Sequence, residues 1–299
     1  VAAAAQRTLE EVVCALISDL GGKDLKIALA GGVFANVKLN QRIKDLRNVA
    51  DVYIFPNMGD GGLSVGAAYL AYVERTDSAP QALTTVFQGD TLDDPEIESA
   101  LDGTELIWER HDDIELRVAE LLAGGHVVAR CKGAMEFGPR ALGNRSILYQ
   151  ATESDVNKWL NERLGRSEFM PFAPATLTED ADLYYEGLDG GREAAAYMTM
   201  TFNCTERMRT EAPAAVHVDG TARPQLVSRN QCPEFHRILS EYKRLTGLRN
   251  IINTSFNMHE EPIVRSAPDA IRAFLTSNLT YMALGQYLVE NRSDILSAK

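Results

Sequence analysis

The sequence predicts an α/β protein built from two consecutive parts, of which the second contains a mixed β-sheet. Helix and strand patterns alternate over residues 1–75, as expected when strands are joined by helical crossovers. Beyond residue 105 the strand-like runs do not alternate strictly with helices, which favours a mixed sheet over a doubly wound one. A polar, acidic stretch separates the two parts.

The first part has the pattern of an αβαβα unit. In order, we expect a helix over 4–20, a strand over 25–30, a helix over 37–46, a strand over 51–55 and a helix over 62–72. The chain opens at Val1 directly into a helical pattern, so we expect it to begin inside a domain.

Each strand of this unit ends in a turn rich in Gly or Asn, GGVFAN (31–36) and PNMGDGG (56–62). Open α/β sheets bind ligands at the carboxyl ends of their strands. Both turns are therefore candidate nucleotide loops.

The acidic stretch at 76–104 marks the predicted boundary between domains. We divide the chain into a first domain over 1–85, a linker over 86–104 with a short helix near 94–101, and a second domain over 105–299. For the second domain we expect strands over 106–110, 126–131, 146–150, 197–202, 249–254 and 284–290, and helices over 113–123, 153–163, 232–246 and 267–276.

Composition excludes several classes of protein. A net charge of -12 and a pI of about 5.0 argue against a protein that coats nucleic acid, although a local basic pocket stays compatible with them. We find no apolar run long enough to span a membrane and no secretory leader pattern. The four cysteines lack the spacing of a zinc site or a disulfide framework, which favours reduced thiols in a cytoplasmic protein.

The segment EFGPRALGNRS (136–146) places Arg140 and Arg145 among glycines, a proline and an asparagine. A guanidinium group grips phosphate or carboxylate with a planar fork, and glycine lets the backbone approach such a ligand. This pattern indicates an anion site. Equally, Gly138 and Pro139 can form a structural turn whose arginines pair with carboxylates such as Glu136 or Glu153.

Three further segments favour the anion site. These are HVDGTARPQ (217–225), NTSFNMHEEPIV (253–264) and RLGRSEFMPFAPATL (163–177). The first and third present cations beside small residues, and the second offers hydroxyl and amide groups at the end of a predicted strand. The candidate side chains are Arg163, Arg166, Arg223, Asn253, Thr254, Ser255 and Asn257. Together they predict one convergent polyanion pocket.

Two other residues allow both a functional and a structural interpretation. Asp60, exposed by the glycines of GDGG, suits a metal ligand but also a helix N-cap. His259, beside Glu260 and Glu261, suits a proton shuttle but also a purely structural role.

Taken together, GGVFANVKLNQRI, GDGGLSVGAAY, MEFGPRALGNRSIL, HVDGTARPQ and NTSFNMHEEPIV resemble the NodU/CmcH-type O-carbamoyltransferases over nearly the whole chain. The resemblance implies the C-terminal portion of an actin/sugar-kinase-like (ASKHA) domain followed by a YrdC-like mixed-sheet domain. It also implies a reaction in which carbamoyl phosphate and ATP form carbamoyladenylate, whose carbamoyl group passes to a hydroxyl-bearing small molecule near a divalent metal, Fe(II) or Mg(II).

The resemblance assigns roles to individual residues. It implies a reaction centre at Arg223, Asn253 and Ser255, phosphate contacts from Arg140, Arg145, Arg166, Asn257 and His259, a nucleotide site at Gly31, Gly32, Asn36, Gly61 and Gly62, and a metal ligand at Asp60. Two features depart from the family pattern. No histidine precedes His111 to complete the metal site, and Met170 stands where an arginine is common, with Arg166 as its substitute.

Three functions stay open at this point. The first is an O-carbamoyltransferase without nucleic-acid or membrane partners, with a homodimer as one assembly state. The second is a threonylcarbamoyl-type tRNA-modifying enzyme, which the acidic charge disfavours. The third is a nucleotide- or anion-binding module without catalysis.

Overall fold

The first part of the chain forms a parallel pair of strands with three helices. The computed structural model describes residues 1–79, 81–165 and 171–292. The elements are α1 (Ala2–Asp19), β1 (Leu25–Leu29), α2 (Val37–Lys44), β2 (Val49–Ile54) and α3 (Asp60–Thr76). Leu29 lies opposite Ile54 at the carboxyl ends of the paired strands. The predicted αβαβα order is confirmed.

The second part adds seven helices and eleven strands within the described residues. The helices are α4 (Asp94–Leu101), α5 (Ile114–Ala123), α6 (Val156–Arg163), α7 (Arg192–Ala196), α8 (Glu206–Glu211), α9 (Pro233–Thr246) and α10 (Ala267–Thr276). The strands are β3 (Ile107–Arg110), β4 (Val128–Cys131), β5 (Arg145–Gln150), β6 (Ala173–Leu177), β7 (Tyr185–Glu186), β8 (Phe202–Cys204), β9 (Thr221–Ala222), β10 (Gln225–Val227), β11 (Asn250–Ser255), β12 (Tyr281–Leu284) and β13 (Tyr287–Glu290).

Eight of these strands form one large sheet in the order β10-β6-β11-β5-β4-β12-β13-β3. The pairs β10/β6 and β12/β4 are parallel, and the other neighbours are antiparallel. The sheet is therefore mixed, as the broken β–α alternation predicts. Strands β7, β8 and β9 form a separate small antiparallel sheet.

The strand predicted at 197–202 is wrong except at Phe202, and the strand predicted at 284–290 is confirmed only over Tyr287–Glu290. The segment at 197–202 alternates like a strand, but Met198 has a φ of 57° and Thr199 N–H donates to the carbonyl of Ala194, so only Phe202–Cys204 pairs. The segment at 284–290 is the turn and second arm of a hairpin, because Gly285 adopts a φ of 57° and brings Leu284 opposite Tyr287.

The first part packs against the second through a shared core and backbone hydrogen bonds. Val52 N–H donates to the carbonyl of Gly190 at 2.8 Å, and Asn40 Nδ2 donates to the carbonyl of Thr199 at 2.7 Å. The short helix expected near 94–101 is α4, whose Ile97 and Leu101 are fully buried. The division of the chain at 86–104 stays a prediction.

All four cysteines are free thiols. Among the described residues, no helix combines the length and apolar character needed to cross a membrane.

Candidate functional site

The loop from 136 to 145 folds around its own buried carboxylate. Glu136 Oε1 accepts hydrogen bonds from the backbone N–H groups of Leu142 at 2.7 Å, Asn144 at 2.8 Å and Arg145 at 3.2 Å. Glu136 is buried, so this anion is sheltered from water. Converging N–H groups of this kind form an anion-binding concavity. Here the anion is internal and fixes the shape of the loop.

Glycine is required within this loop at Gly143. Its φ is 120°, and an added Cβ would lie 2.5 Å from Cδ1 of Phe235 on α9. No side chain fits there without moving the helix. The EFGPRALGNRS segment is therefore held from inside by Glu136 and from behind by α9.

Arg145 is fully buried and bonded to main-chain oxygens. Its guanidinium group donates to the carbonyls of Asp90, Lys132, Gly133, Asn144 and Arg265 at 3.0–3.5 Å. These contacts fasten β5 to neighbouring loops. In the described structure Arg145 is thus a structural residue, and its assignment as a phosphate contact stays a prediction.

Arg140 and Arg223 have a different environment. Both are half-buried, and within the described ranges neither has an ion pair or a hydrogen bond. Burial lowers the pKa of Arg140. Burial and then the nearby charge of Arg140 lower the pKa of Arg223 to about 9. The two guanidinium groups thus repel each other without an acidic partner in the described ranges, and a bound anion would relieve that repulsion.

Asn253 connects the strand β11 to the loop that carries Arg140. Its Nδ2 donates to the carbonyl of Ala141 at 3.2 Å and to Oε1 of Gln225 at 2.7 Å. Gln225 Nε2 in turn donates to the carbonyl of Leu142 at 2.7 Å. Both side chains are almost fully buried. Asn253 thus holds the loop in place, and its catalytic assignment stays a prediction.

The end of β11 lies beside the same loop. Ser255 is opposite Ser146 in the sheet, and Phe256 N–H donates to the carbonyl of Arg145 at 3.0 Å. Ser255 Oγ donates to Oδ1 of Asn257 at 2.6 Å.

Asn257 also donates to main-chain oxygens, and His259 follows it half-buried. Arg166 and Met170 lie outside the described residues. The roles assigned to Ser255, Asn257, His259 and Arg166 stay predictions.

The HVDGTARPQ segment forms a tight turn in front of Arg223. Gly220 N–H donates to the carbonyl of His217 at 2.9 Å, and Asp219 Oδ1 accepts from Thr221 Oγ1 at 2.6 Å. Asp219 Oδ2 pairs with Lys38 Nζ on α2 at 2.8 Å. The turn is therefore tied to the first part of the chain.

The turn at the end of β2 adjoins the loop from 136 to 145. The rings of Phe55 and Phe137 meet edge to face with centroids 6.3 Å apart. An added Cβ on Gly138 would lie 3.2 Å from the carbonyl oxygen of Pro56. The predicted nucleotide turn after β2 and the predicted phosphate loop therefore lie side by side.

The residues expected to form a nucleotide site have structural contacts. Asn36 caps α2 by accepting from Leu39 N–H at 3.0 Å, and Gly31 N–H donates to the carbonyl of Met58 at 2.6 Å. Gly32 follows Gly31 directly after β1. An added Cβ on Gly61 would lie 2.5 Å from Asn57 Nδ2, and one on Gly62 would lie 2.2 Å from the Asn57 carbonyl oxygen. Nucleotide binding by these residues stays a prediction.

Asp60 is the exposed first residue of α3, and Gly59 occupies the N-cap position. The alternative interpretation of Asp60 as the cap residue is therefore wrong. Across the described ranges, no group of three or more His, Cys, Asp or Glu side chains is arranged to hold a metal. One carboxylate falls short of the ligand set that Fe(II) or Mg(II) takes, so we derive no step through a metal.

Sequence reasoning missed three residues of this site, Glu136 as loop anchor, Gln225 and His217. The H-x-D-G-T spacing around His217 was the one local signal, because an Asp-Gly turn brings its flanking residues together. Glu136 and Gln225 act through contacts that only the folded chain creates.

Comparison with known proteins agrees with the quoted motifs. The family model described as carbamoyltransferase C-terminus matches residues 119–291, and the model described as carbamoyltransferase N-terminus matches residues 1–69. The nodulation protein NolNO of Sinorhizobium fredii is 37% identical over 302 residues, covering 97% of this chain and 44% of that protein. Nodulation protein U of Rhizobium fredii is 32% identical over 245 residues, covering 82% and 40%.

Among solved structures, full-length HypF in the phosphate- and nucleotide-bound form matches with a TM-score of 0.41 and 19% identity, over 64% of this chain and 23% of that one. The chain spans about half the length of the curated relatives it matches. The eight-stranded mixed sheet and the loop built around the buried carboxylate of Glu136 define the chain as an α/β protein with an internally braced loop. It belongs to the carbamoyltransferase family.

Proposed function

We propose that this chain binds carbamoyl phosphate between Arg140 and Arg223 and contributes this site to an O-carbamoyltransferase. The observation that carries the proposal is the pair of half-buried guanidinium groups with no acidic partner in the described structure. A phosphate group would neutralise the repulsion between the two guanidinium groups. Its oxygens would also accept hydrogen bonds from the planar fork of N–H donors on each arginine.

The reaction that fits this site proceeds through two mixed anhydrides. Water cleaves carbamoyl phosphate to carbamate and phosphate. A carbamate oxygen then attacks the α-phosphorus of ATP, which releases pyrophosphate and forms carbamoyladenylate. Finally a hydroxyl of the acceptor attacks the carbamoyl carbon, and AMP leaves. ATP and a hydroxyl-bearing small molecule are thus the other two substrates.

The surrounding contacts suit a preorganised site. Glu136 and the pair Asn253–Gln225 fix the loop that carries Arg140 before any ligand arrives. Fixed donors stabilise the negative charge on a departing phosphate without reorganisation. The contacts of Phe55 and Pro56 with the loop support a nucleotide site next to the phosphate site.

The same proposal includes the finer fold assignment. Residues 1–85 would be the C-terminal portion of an ASKHA domain, and residues 105–299 a YrdC-like domain. The parallel β1/β2 pair and the eight-stranded mixed sheet support that division. A metal ligand role for Asp60, a homodimer and a cytoplasmic location stay predictions.

Calorimetric titration of the chain with carbamoyl phosphate, and then with ATP, tests the proposal. We expect binding of carbamoyl phosphate, and a loss of about 10-fold or more on Arg223→Ala, since a charge-assisted hydrogen bond contributes about 1.5–3 kcal/mol. Arg223→Lys should also weaken binding, because the fork is lost. Unchanged affinity in a folded Arg223→Ala variant would contradict the proposal, and binding of nucleotide or tRNA alone would support the two alternative functions.

A further inference from the structure

We propose that His217 is the proton-transfer residue of the anion site, with Nε2 as the atom that takes the proton. The inference rests on the proposed binding of carbamoyl phosphate. When water attacks the carbamoyl carbon, a C–O bond forms, and the C–O bond to phosphate breaks with its electron pair leaving on phosphate. His217 Nε2 accepts the proton from the attacking water and returns it to the departing phosphate, so that carbamic acid and hydrogen phosphate result.

The turn fixes His217 beside Thr221. His217 N–H donates to the carbonyl of Thr221 at 2.7 Å, and Gly220 N–H donates to the carbonyl of His217 at 2.9 Å. Gly220 has a φ of 78°, which closes the turn. The two side chains therefore stand on facing arms, and His217 Nδ1 lies 3.3 Å from Thr221 Oγ1.

The hydrogen bonds around Thr221 determine which imidazole nitrogen carries the proton. Thr221 Oγ1 has one proton, and Asp219 Oδ1 at 2.6 Å takes it, because a carboxylate can only accept. Burial works to raise the pKa of Asp219, but hydrogen bonds from Lys38 and Thr221 outweigh it and lower that pKa to about 2. Asp219 is thus ionised, and Thr221 Oγ1 is left to accept a proton from Nδ1 of His217.

The consequence is a neutral imidazole with a free acceptor. With Nδ1 donating to Thr221, the lone pair is on Nε2, which has no hydrogen-bond partner among the described residues. An orienting acceptor behind a histidine is the arrangement that prepares it as a general base. Thr221 Oγ1, whose own proton is held by Asp219, is such an acceptor for His217.

The charges near His217 support the same assignment. Burial lowers its pKa most, Arg223 and Lys38 lower it further, and Asp219 opposes them. The imidazole is therefore neutral near pH 7. The hydrogen bond from His217 N–H to the carbonyl of Thr221 holds the histidine against the strand that leads directly into Arg223. An anion bound at Arg223 would raise the pKa of His217, which helps it accept a proton during the reaction.

The first experiment reads the tautomer directly. Long-range proton–nitrogen NMR spectra of the full chain should show Nδ1 protonated and Nε2 unprotonated in His217 near pH 7. Inorganic phosphate should raise the pKa of His217, and the ring resonances of the exposed His126 serve as the control that phosphate should not move. A proton on Nε2 in the free chain would overturn the proposal.

The second experiment separates binding from turnover. His217→Asn keeps a donor for Thr221 but removes the proton-accepting nitrogen. We expect nearly unchanged affinity for carbamoyl phosphate and about 100-fold slower phosphate release in the presence of ATP. Thr221→Val should cause a smaller loss, and His126→Asn is the matched control that should leave both quantities unchanged.

The outcomes distinguish this inference from the proposed function. If the wild-type chain fails to bind carbamoyl phosphate, the proposed function itself is contradicted. If His217→Asn binds and turns over like the wild type, only the inference is overturned. Wild-type binding without any phosphate release would also overturn it, because no proton would then be transferred in this chain.

Discussion

Asn253 and Gln225 are joined by a hydrogen bond of 2.7 Å that ties two strands of the large sheet to the loop carrying Arg140. The two side chains are almost fully buried, so water cannot replace the bond if one partner is removed. The buried hydrogen bonds give Asn253, inside β11, a structural role in the unliganded protein. Through these bonds, the positions of β10 and β11 fix the backbone next to Arg140.

Asn253→Ala is therefore expected to reduce stability. Losing the partner of two buried groups costs about 1–3 kcal/mol each, so we expect a loss of at least about 2 kcal/mol in the free energy of unfolding. Urea unfolding measures this directly. Asn230→Ala, in an exposed turn, is the control and should change stability by less than about 0.5 kcal/mol. A loss no larger than that of the control would contradict the linking role.

Glu136→Gln tests the internal carboxylate. The amide oxygen can still accept hydrogen bonds, but it lacks the charge that strengthens the three bonds to backbone N–H groups. We expect a loss of about 1–3 kcal/mol in the free energy of unfolding, measured with urea. The slope of that free energy against urea concentration should not change. Glu105→Gln, at an exposed position, is the matched control. Equal stability of the two variants would show that the loop does not depend on the charge.

These two residues show where sequence reasoning ends. The αβαβα order and most helices follow from local periodicity, so they were predictable. The function of Glu136 depends on a loop that folds back on it, and the partner of Asn253 comes from another strand. No spacing within the sequence reports such contacts.

The strand predicted at 197–202 was wrong for a related reason. Its alternation of apolar and polar residues is typical of a strand, but tertiary packing gives Met198 a left-handed backbone and buries the residues around it. Tertiary structure overrides local propensity at such a position.

Asp219→Asn should change how stability depends on pH. Hydrogen bonds from Lys38 and Thr221 overcome burial and lower the pKa of Asp219 from 3.8 to about 2 in the folded chain. Its contribution is thus fully present above pH 3.8 and is lost as the pH falls through 2. The side chain of Asp219 is 44% exposed, so we expect about 1 kcal/mol or less.

The measurement is the difference in free energy of unfolding between wild type and Asp219→Asn at several pH values. This difference should shrink as the pH falls from 3.8 toward 2. Asp112→Asn, on a fully exposed side chain, should show no such trend. A difference that is constant with pH would contradict the assigned cause.

His217→Gln should change how the free energy of unfolding depends on pH just below neutrality. Burial, Arg223 and Lys38 lower the pKa of His217 below 6.5 in the folded chain, so the unfolded chain binds the proton more readily. Wild-type stability should therefore fall as the pH drops from 6.5 toward the lowered pKa. The variant should lose that part of the slope. Parallel unfolding profiles for the two proteins would show that the imidazole titrates normally.

Arg140 and Arg145 are five positions apart in one motif, and the sequence gives no means of distinguishing them. The structure separates them by their partners, since Arg145 donates to five main-chain carbonyls and Arg140 has no partner in the described ranges. Removing Arg145 should thus leave several buried acceptors unsatisfied. Removing Arg140 should relieve repulsion with Arg223.

We expect Arg140→Met to unfold at an equal or higher temperature than the wild type without ligand. Phosphate at about 100 times its Kd should stabilise the wild type by about 2.7 kcal/mol and the variant by much less, because binding to the folded state alone produces that gain. Arg145→Met is the matched control and should lose at least about 3 kcal/mol with or without phosphate. Should that variant fail to fold, Arg145→Lys supplies the milder comparison. Thermal unfolding at several phosphate concentrations measures both effects. If Arg140→Met keeps the full phosphate response, the unpaired guanidinium does not bind the anion, and the motif is structural at both arginines.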